Sequence, residues 1–365
     1  MILVIISHTA HYKTPADEIV GWGPTVTEIN QLIQVFDKIY HCAFLHDEKP
    51  PESSLAYSSP RIKFVPLPPT GGKDLKGKLK VLVRFPETLI KIRRVLRKSD
   101  IFQFRAPTGM GVYLIPYLSL FHRQKGWFKY AGNWKQKNPP LGYGLQRCML
   151  RKQRRIVTVN GLWSGQPKNV LAFDNPCLTT KDREKGKKAI ERKTLDKVNK
   201  ICFVGNLTKN KGFDLFMEAL MELENIQLEV DVIGDGPMRK IYEKQLPGVI
   251  FHGFLSKEKV QEVYLQCHFI VLPSLSEGFP KVVAEGMNFG CIPIVSDVSG
   301  IGQYIIDGEN GFLIKPITKV RLVSVLKETI KLKNDDYNEM VNYNYNLASK
   351  FTFEAYLKHI KQSIL

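Results

Sequence analysis

The sequence alternates short apolar segments with longer amphipathic ones, and this alternation constrains the fold more than any other feature. Ile2–Ile6 and Ile101–Phe104 have the length and apolar content of buried strands, whereas Thr25–Ile39 carries apolar residues at helical spacing. Strands that alternate with helices are typical of parallel βαβ units. Two such series follow each other, so the sequence predicts an α/β protein of two Rossmann-like, doubly wound domains facing an interdomain cleft.

The predicted elements fall into two groups along the chain. In the first group we predict further strands at Arg61–Val65, Trp127–Tyr130 and Ile156–Val159, and helices at Lys78–Lys98 and Val112–Phe121. In the second group we predict strands at Ile201–Val204, Leu228–Ile233, Val249–Phe251, Phe269–Leu272, Ile292–Val295 and Phe312–Ile314. The helices predicted there are Phe213–Leu223, Met238–Gln245, Lys257–Gln266 and Lys281–Phe289, and most of Val320–Leu365 is predicted to be helical.

Length and composition place the domain boundaries. The 365 residues exceed the roughly 250 to 300 at which one hydrophobic core stops growing, so two domains are expected. The stretch around Lys181–Lys200 is rich in charge and poor in large apolar residues, which is typical of a connection. We therefore predict a first domain at residues 1–175, a charged linker at 176–198, a second domain at 199–345 and, at 346–365, a C-terminal helix that returns toward the first domain.

Positive charge is confined to the first half of the chain. Residues 1–198 hold 35 Lys+Arg and 15 Asp+Glu, a net of +20, and residues 199–365 hold 18 and 20, a net of −2. Such a field attracts polyanions, which include nucleic acid, an anionic membrane face and a phosphorylated acceptor. A basic, generally solvated surface explains the same excess, and this alternative stays open.

A turn that enters a helix carries the strongest local signal. It reads Ser-Leu-Ser-Glu-Gly-Phe-Pro-Lys-Val-Val-Ala-Glu-Gly from Ser274 to Gly286, with Glu277 before the helix and Glu285 inside it. The free N–H groups at such a helix start attract anions, and Gly278 lets a ligand approach the backbone. The two carboxylates can accept hydrogen bonds from hydroxyl groups. On composition alone, a helix-terminal charge at Glu277 and a solvated face at Glu285 are the favoured explanation.

Ordered motifs around this turn resemble those of the retaining glycosyltransferases of family 4, which have the GT-B fold and an E-x7-E signature. Glu277 and Glu285 stand at that spacing. The supporting motifs are Phe203-Val204-Gly205-Asn206-Leu207 with Lys211-Gly212, then Val232 to Pro237, Phe251 to Phe254, and Asp307-Gly308 with Gly311-Phe312-Leu313. The resemblance covers about residues 201–314 and is weak before them.

The resemblance implies roles for individual residues. As catalytic residues it implies Glu277, which would hold hydroxyls of the donor sugar, and Lys211, which would neutralise the departing diphosphate. Glu285 would bind the ribose. The remaining donor-binding residues implied are Gly278, Phe279, Pro280, Asn206, Lys209, Gly234 and Gly253. Because cations and helix dipoles can stabilise the leaving group, and no DxD pair ends a strand, we expect no essential metal and no cofactor beyond the nucleotide-sugar co-substrate.

Some positions depart from the family pattern. Asn206 stands where the family has an arginine, and an amide cannot replace a bidentate cation on phosphate. Gln103 and Arg105 replace the two histidines of a D-x-x-H-x-H motif, so no histidine role transfers there. For the acceptor side we predict Gly23, in a glycine-rich loop before a helix, and Arg105, which could meet an anionic acceptor. An ordinary turn and a structural arginine are the alternatives for these two residues.

The resemblance therefore implies a glycosyltransferase that moves a hexose-type sugar from a nucleoside diphosphate to an acceptor hydroxyl with retention, in surface polysaccharide or lipopolysaccharide biosynthesis. Expected partners are the nucleotide-sugar donor, a glycan or lipid-linked acceptor and an anionic membrane surface; nucleic acid is not expected. The absence of a signal peptide and the six scattered cysteines favour a cytoplasmic protein. The mixed basic and apolar segment Arg84–Lys98 favours a peripheral location on the inner face of the plasma membrane, and packing of its apolar face in the core is the alternative. An epimerase-like enzyme and a non-catalytic nucleotide-sugar binder remain as alternatives.

Overall fold

A computed structural model describes residues 1–71, 75–195, 198–223 and 228–365. The chain divides into two compact units. Unit 1 comprises Met1–Phe173 together with Leu357–Leu365, and unit 2 comprises Asp174–Tyr356. Each unit has a mainly parallel sheet covered by helices, as the alternation in the sequence predicts.

Unit 1 is built on a nine-stranded sheet. Its strands are β1 (Ile2–Lys13), β2 (Ile19–Trp22), β3 (Lys38–His46), β4 (Ser54–Ala56), β5 (Ile62–Leu67), β6 (Ile101–Ala106), β7 (Lys125–Tyr130), β8 (Val157–Val159) and β9 (Val170–Ala172). The parallel strands run in the order β5-β3-β1-β6-β7-β8-β9, and the short β2 and β4 add antiparallel to the end of β1. The helices are α1 (Gly23–Leu32), α2 (Leu75–Val83), α3 (Phe85–Leu96), α4 (Gly111–Pro116), which continues into a π-helical turn at Tyr117–Phe121, and α5 (Leu141–Lys152).

Two sequence predictions in unit 1 were wrong. The helix predicted at Thr25–Ile39 ends at Leu32, and β3 occupies Lys38–His46. Because β3 lies between β1 and β5 and is buried over most of its length, it lacks the alternation that reveals a half-exposed strand. The single helix predicted at Lys78–Lys98 is two helices, α2 and α3, since Pro86 in the first turn of α3 cannot donate a helical hydrogen bond to the preceding turn.

Unit 2 has a six-stranded parallel sheet. Its strands are β10 (Asn199–Val204), β11 (Leu228–Ile233), β12 (Val249–Gly253), β13 (Phe269–Leu272), β14 (Ile292–Ser296) and β15 (Phe312–Ile314). Their order β12-β11-β10-β13-β14-β15 is that of a dinucleotide-binding Rossmann sheet. The helices are α6 (Thr180–Ile190), α7 (Phe213–Met221), α8 (Arg239–Gln245), α9 (Lys257–Gln266), α10 (Lys281–Asn288), α11 (Lys319–Thr329), α12 (Asn334–Ala348) and α13 (Phe353–Ser363), the last of which ends in unit 1. All six strands agree with the sequence prediction to within a few residues.

The linker predicted at 176–198 is instead part of unit 2, apart from positions 196 and 197, which lie outside the described residues. Its helix α6 begins with a capping box in which Thr179 and Asp182 each accept the other's backbone N–H. Asp182 also forms an ion pair with Lys257 at 2.6 Å, and Asn288 donates to its carbonyl oxygen. These contacts come from distant parts of the chain, so the charged composition of the segment does not reveal that it packs.

A chain of hydrogen bonds is buried in unit 1. His11 Nδ1 lies 3.0 Å from the carbonyl oxygen of Thr9, which can only accept, so Nδ1 carries the proton and Nε2 accepts from the hydroxyl of Tyr57 at 2.8 Å. The Tyr57 oxygen then accepts from His41 Nδ1 at 2.8 Å, which leaves His41 Nε2 to accept from Ser7 Oγ at 2.8 Å. The link from Tyr57 to His11 is complete only while the His11 imidazole is neutral, because a protonated Nε2 could not accept from the hydroxyl.

Burial favours those neutral imidazoles. It lowers the pKa of His11 from 6.5 to about 4, and it lowers the pKa of His41 well below its usual range, with further contributions from His11 and Arg105. Neither side chain of this histidine pair is exposed to solvent. In the unfolded chain both residues bind protons near pH 6.5, so the folded state is favoured above that pH and loses stability as the pH falls toward 4.

We expect unit 1 to be about 2 kcal/mol less stable at pH 5 than at pH 7 from His11 alone, because the unfolded state takes up a proton that the folded state excludes. All four tryptophans, Trp22, Trp127, Trp134 and Trp163, lie in unit 1, so urea unfolding followed by tryptophan fluorescence reports this unit. The His11→Gln variant should be less stable than the wild type at pH 7, and its free energy of unfolding should fall less between pH 7 and pH 5. An equal loss in the wild type and the variant would contradict this account.

Candidate functional site

The loops at the carboxyl ends of the unit 2 strands pack backbone against backbone. Gly212, with φ +66°, lies so close to the loop after β13 that a Cβ atom would stand 2.0 Å from the carbonyl oxygen of Pro273. Gly234, with φ +121°, approaches Gly205 in the same way, and its N–H donates to the carbonyl of Gly253 at 2.7 Å. The glycine motifs of the sequence thus bring the ends of β10, β11, β12 and β13 together.

This packing brings Lys211 and Glu277 into direct contact. Lys211 Nζ lies 2.5 Å from Glu277 Oε1, and the same oxygen accepts a hydrogen bond from Ser274 Oγ at 2.8 Å. Lys211 ends a short 3-10 turn at the end of β10, and Glu277 and the fully buried Ser274 follow β13. Both contacts use Oε1, so Oε2 is the oxygen of Glu277 that a ligand would meet. Ser274 was not predicted as a site residue.

The start of α10 lies four residues beyond Glu277. Pro280 occupies the N-cap position and no side chain caps the helix, so the first N–H groups and the positive end of the helix dipole remain available to an anion. Gly278 is half-buried in the turn. The Phe279 ring, in contrast, stacks on Phe351 at 4.4 Å and is only 3% exposed, so the ring packs in the core of unit 2 beneath the turn.

Glu285 lies in a different neighbourhood from Glu277. Burial raises the pKa of Glu285, and Lys257, Lys281 and a hydrogen bond from Tyr264 act in the opposite direction. Lys257, an electrostatic neighbour of Glu285, begins α9 four residues after the end of β12 at Gly253. Glu285 therefore lies on the side of the loop that follows β12. Tyr264 and Lys257 were not predicted as neighbours of Glu285, and no local sequence signal links them to it.

The remaining predicted donor residues differ in their exposure. Asn206 and Lys209 are both exposed after β10, and in the described part of the chain neither side chain forms a hydrogen bond or an ion pair. They therefore form no hydrogen bond or ion pair with Lys211 or Glu277, and Lys211 is the cation of this loop that pairs with the carboxylate. The structure contains no group of three potential metal-binding side chains close together in the ranges it describes.

The predicted acceptor residues both lie in unit 1. Gly23 begins α1, where a Cβ atom would stand 2.5 Å from the carbonyl oxygen of Ser53, so glycine is needed for packing. Arg105, at the end of β6, is 8% exposed and donates to Glu28 of α1 at 2.9 Å and to Gln103 at 2.7 Å. Lys129 of β7 also donates to Glu28 Oε1, at 2.6 Å. Glu28 and Lys129 were missed because they lie 77 and 24 residues from Arg105.

Sequence comparison matches unit 2 to a known family. Residues 184–347 match the profile of the family described as Glycosyl transferases group 1, which is somewhat less than half of the chain. An uncharacterized glycosyltransferase of Methanocaldococcus jannaschii is 29% identical over 166 residues, which cover 44% of this chain and 46% of that protein. The chain thus matches about half the length of this relative.

Comparison with solved structures covers both units. Sucrose-phosphate synthase of Thermosynechococcus elongatus has a TM-score of 0.74 at 15% identity, over 99% of this chain and 98% of that chain. HepE of Anabaena, solved in complex with UDP and glucose, has a TM-score of 0.70 at 14% identity, over 99% of this chain and 98% of that chain. At these identities the likeness establishes the fold, which is GT-B. Residues 184–347 therefore resemble the Glycosyl transferases group 1 family, and the chain as a whole has the GT-B fold.

Proposed function

We propose that the chain transfers a hexose-type sugar from a nucleoside diphosphate to a hydroxyl of a glycan or lipid-linked acceptor, with retention of the anomeric configuration and without an essential metal ion. Its work would be the assembly of surface polysaccharide or lipopolysaccharide on the cytoplasmic side of a membrane. The contact of Lys211 with Glu277 beside the start of α10 supports this proposal most directly, because it places a cation, a carboxylate and a helix N-terminus at one end of the sheet.

Lys211 would stabilise the leaving group. When the bond from the sugar to the diphosphate breaks, negative charge builds on the departing phosphate oxygen, and a fixed cation lowers the energy of that transition state. The unpaired N–H groups at the start of α10 would add to this effect. These two sources of positive charge take the place that a divalent cation has in other transferases, so the proposal needs no metal.

Glu277 and Glu285 would hold the two sugars of the donor. Glu277 uses one oxygen for Lys211 and Ser274 and leaves the other for the hydroxyls of the transferred sugar. Glu285, half-buried and close to Lys257, would accept hydrogen bonds from the ribose. The Anabaena protein of similar fold was solved with UDP and glucose, which supports a nucleoside diphosphate as the ligand class.

We expect Lys211→Ala to lower kcat by about a hundredfold or more, as the loss of one transition-state contact does in other enzymes. The matched control is Lys240→Ala, which removes an exposed lysine of α8 that has no ion pair among the described residues and should leave kcat nearly unchanged. A thermal-shift panel of nucleoside diphosphate sugars identifies the donor, and release of the nucleoside diphosphate then gives the rate. Equal turnover of the two variants would remove Lys211 from the mechanism.

The same panel separates the alternatives. Glu285→Gln should weaken donor binding, whereas Glu277→Gln should chiefly slow transfer, and NMR of the product gives its anomeric configuration. An epimerase would return an isomeric nucleotide sugar, and a non-catalytic binder would be stabilised by a donor without releasing the nucleoside diphosphate. Either result would contradict the proposal.

The helical layer of unit 1 formed by α2 to α5 would dock on an anionic membrane. Residues 101–173 contain 12 Lys+Arg and no Asp or Glu. Large apolar side chains are exposed on the same layer, namely Leu79 and Leu82 on α2, Leu120 and Phe121 in the π-helical turn, and Leu141 on α5. Anionic headgroups attract the cations, and the apolar side chains can enter the interface. No helix in the described part of the chain is long and apolar enough to span a bilayer.

We expect the double variant Leu120→Ser, Phe121→Ser to bind anionic vesicles at least about tenfold more weakly than the wild type, because each apolar side chain contributes about 1.5–3 kcal/mol when it is fully buried. Val320→Ser, which changes an equally exposed apolar residue of unit 2, is the control. Vesicle sedimentation measures both. Wild-type binding should fall with salt and be weak on zwitterionic vesicles; binding that ignores lipid charge, or that the double variant retains, would contradict docking through this layer.

A further inference from the structure

Two N–H donors of unit 1 have no partner in the described residues. The side chain of Gln103 is fully buried, and its Nε2 atom forms no hydrogen bond. The orientation of this amide is fixed, because Arg105 Nε can only donate and lies 2.7 Å from the other amide atom, which must be the oxygen Oε1. Arg105 uses Nε for Gln103 and Nη2 for Glu28, which leaves Nη1 unused.

These donors lie in a cluster with excess positive charge, which we name the Arg105 cluster: Gln103, Arg105, Lys129 and Glu28. Arg105 and Lys129 are direct neighbours on the adjacent strands β6 and β7, where like charges repel. Both contact the single oxygen Glu28 Oε1, at 2.9 and 2.6 Å. The four named side chains thus contain two cations and one carboxylate in a largely buried place, where a bound anion would be attracted.

The position of the cluster favours a ligand over a purely structural role. Arg105 and Lys129 stand at the carboxyl ends of parallel strands, where open α/β sheets bind their ligands. Each side chain keeps 10% of its surface exposed, so a small charged group can reach it. A buried amide N–H without a partner is destabilising, and a bound oxyanion would remove that cost.

We propose that the Arg105 cluster binds a carboxylate or phosphate group, and that the acceptor of the proposed transferase is therefore an acidic molecule. An oxyanion would accept from Gln103 Nε2 and Arg105 Nη1 and would balance the charge of Arg105 and Lys129. This inference rests on the proposed function for the word acceptor, while the anion site itself rests on unit 1 alone. A uronic acid and a sugar phosphate both supply the required oxygens.

The decisive variant is Gln103→Glu. It keeps the oxygen that accepts from Arg105, replaces the unused N–H donor with a carboxylate oxygen, and brings the net charge of the cluster to zero. A structural role predicts that this variant folds and shows no change in ligand binding. An anion site predicts that it loses affinity for anions by about tenfold or more, as expected when a hydrogen bond to a charged group is replaced by repulsion. Gln34→Glu adds the same charge at an exposed position of unit 1 and is the matched control.

The probes are two pairs that differ mainly in charge: glucose 6-phosphate with glucose, and methyl glucuronide with methyl glucoside. Ligand-detected NMR titration of the full chain at fixed ionic strength measures each affinity. We expect the charged member of at least one pair to bind about tenfold more tightly than its neutral partner, in the wild type and in Gln34→Glu but not in Gln103→Glu. The pair that shows the preference tells phosphate from carboxylate.

Two results overturn the proposal: no preference for either charged probe in the wild type, or a preference that survives in Gln103→Glu, which would place anion binding elsewhere on the basic surface. If Gln103→Glu does not fold by tryptophan fluorescence, Arg105→Lys keeps the charge but removes Nη1, and an unchanged preference in that variant overturns the proposal too. UDP binding, measured in parallel by thermal shift, separates the two proposals. A preference for the charged probes without UDP binding contradicts the proposed transferase but supports the anion site. UDP binding without that preference contradicts the anion site but supports the proposed transferase.

Discussion

The close approach of backbone loops at the carboxyl ends of the unit 2 strands is the constraint on which the candidate donor site depends. At Gly212 and Gly234 a Cβ atom would stand 2.0 Å from a carbonyl oxygen of a neighbouring loop, so neither position accepts a side chain without displacement. Because these loops touch, Lys211 after β10 reaches Glu277 after β13 across two strands that are neighbours in the sheet but far apart in sequence. The glycines therefore act by positioning the charged residues, and they do not need to contact a ligand themselves.

The two units balance charge in different ways. In unit 2, one lysine meets one carboxylate, and the pair is completed by Ser274. In unit 1, two cations share a single oxygen of Glu28, and the amide beside them has an unused donor. The Lys211–Glu277 pair is electrically complete without a ligand, and its contacts use only one of the two carboxylate oxygens. In the Arg105 cluster, the unused amide N–H of Gln103 lets an anion add a contact without breaking one.

The sequence predicted the second domain well because its signals are local. Each motif joins the end of a strand to the start of the next helix within about ten residues, and both β10 and α10 occur where the motifs place them. Where the determining contacts are distant, prediction failed. The strand β3 is identified by its neighbours β1 and β5, and α6 is held by Lys257 and Asn288, which are 75 and 106 residues from Asp182. The side-chain direction of Phe279 depends on Phe351, and no spacing rule encodes that contact.

The departures from the family pattern are consistent with a shift of positive charge between the units. Asn206 removes a cation from the loop after β10, so in the proposed transferase Lys211 and the start of α10 would supply the positive charge for the diphosphate. Arg105 adds a cation in unit 1 at a position where the family has histidine, and it shares Glu28 Oε1 with Lys129. A histidine buried there would be driven toward its neutral form, as His41 is, whereas a guanidinium keeps its charge when buried. The replacement therefore turns a place that could hold a neutral hydrogen-bonding group into one that holds a permanent charge, and a permanent buried charge selects for an anion.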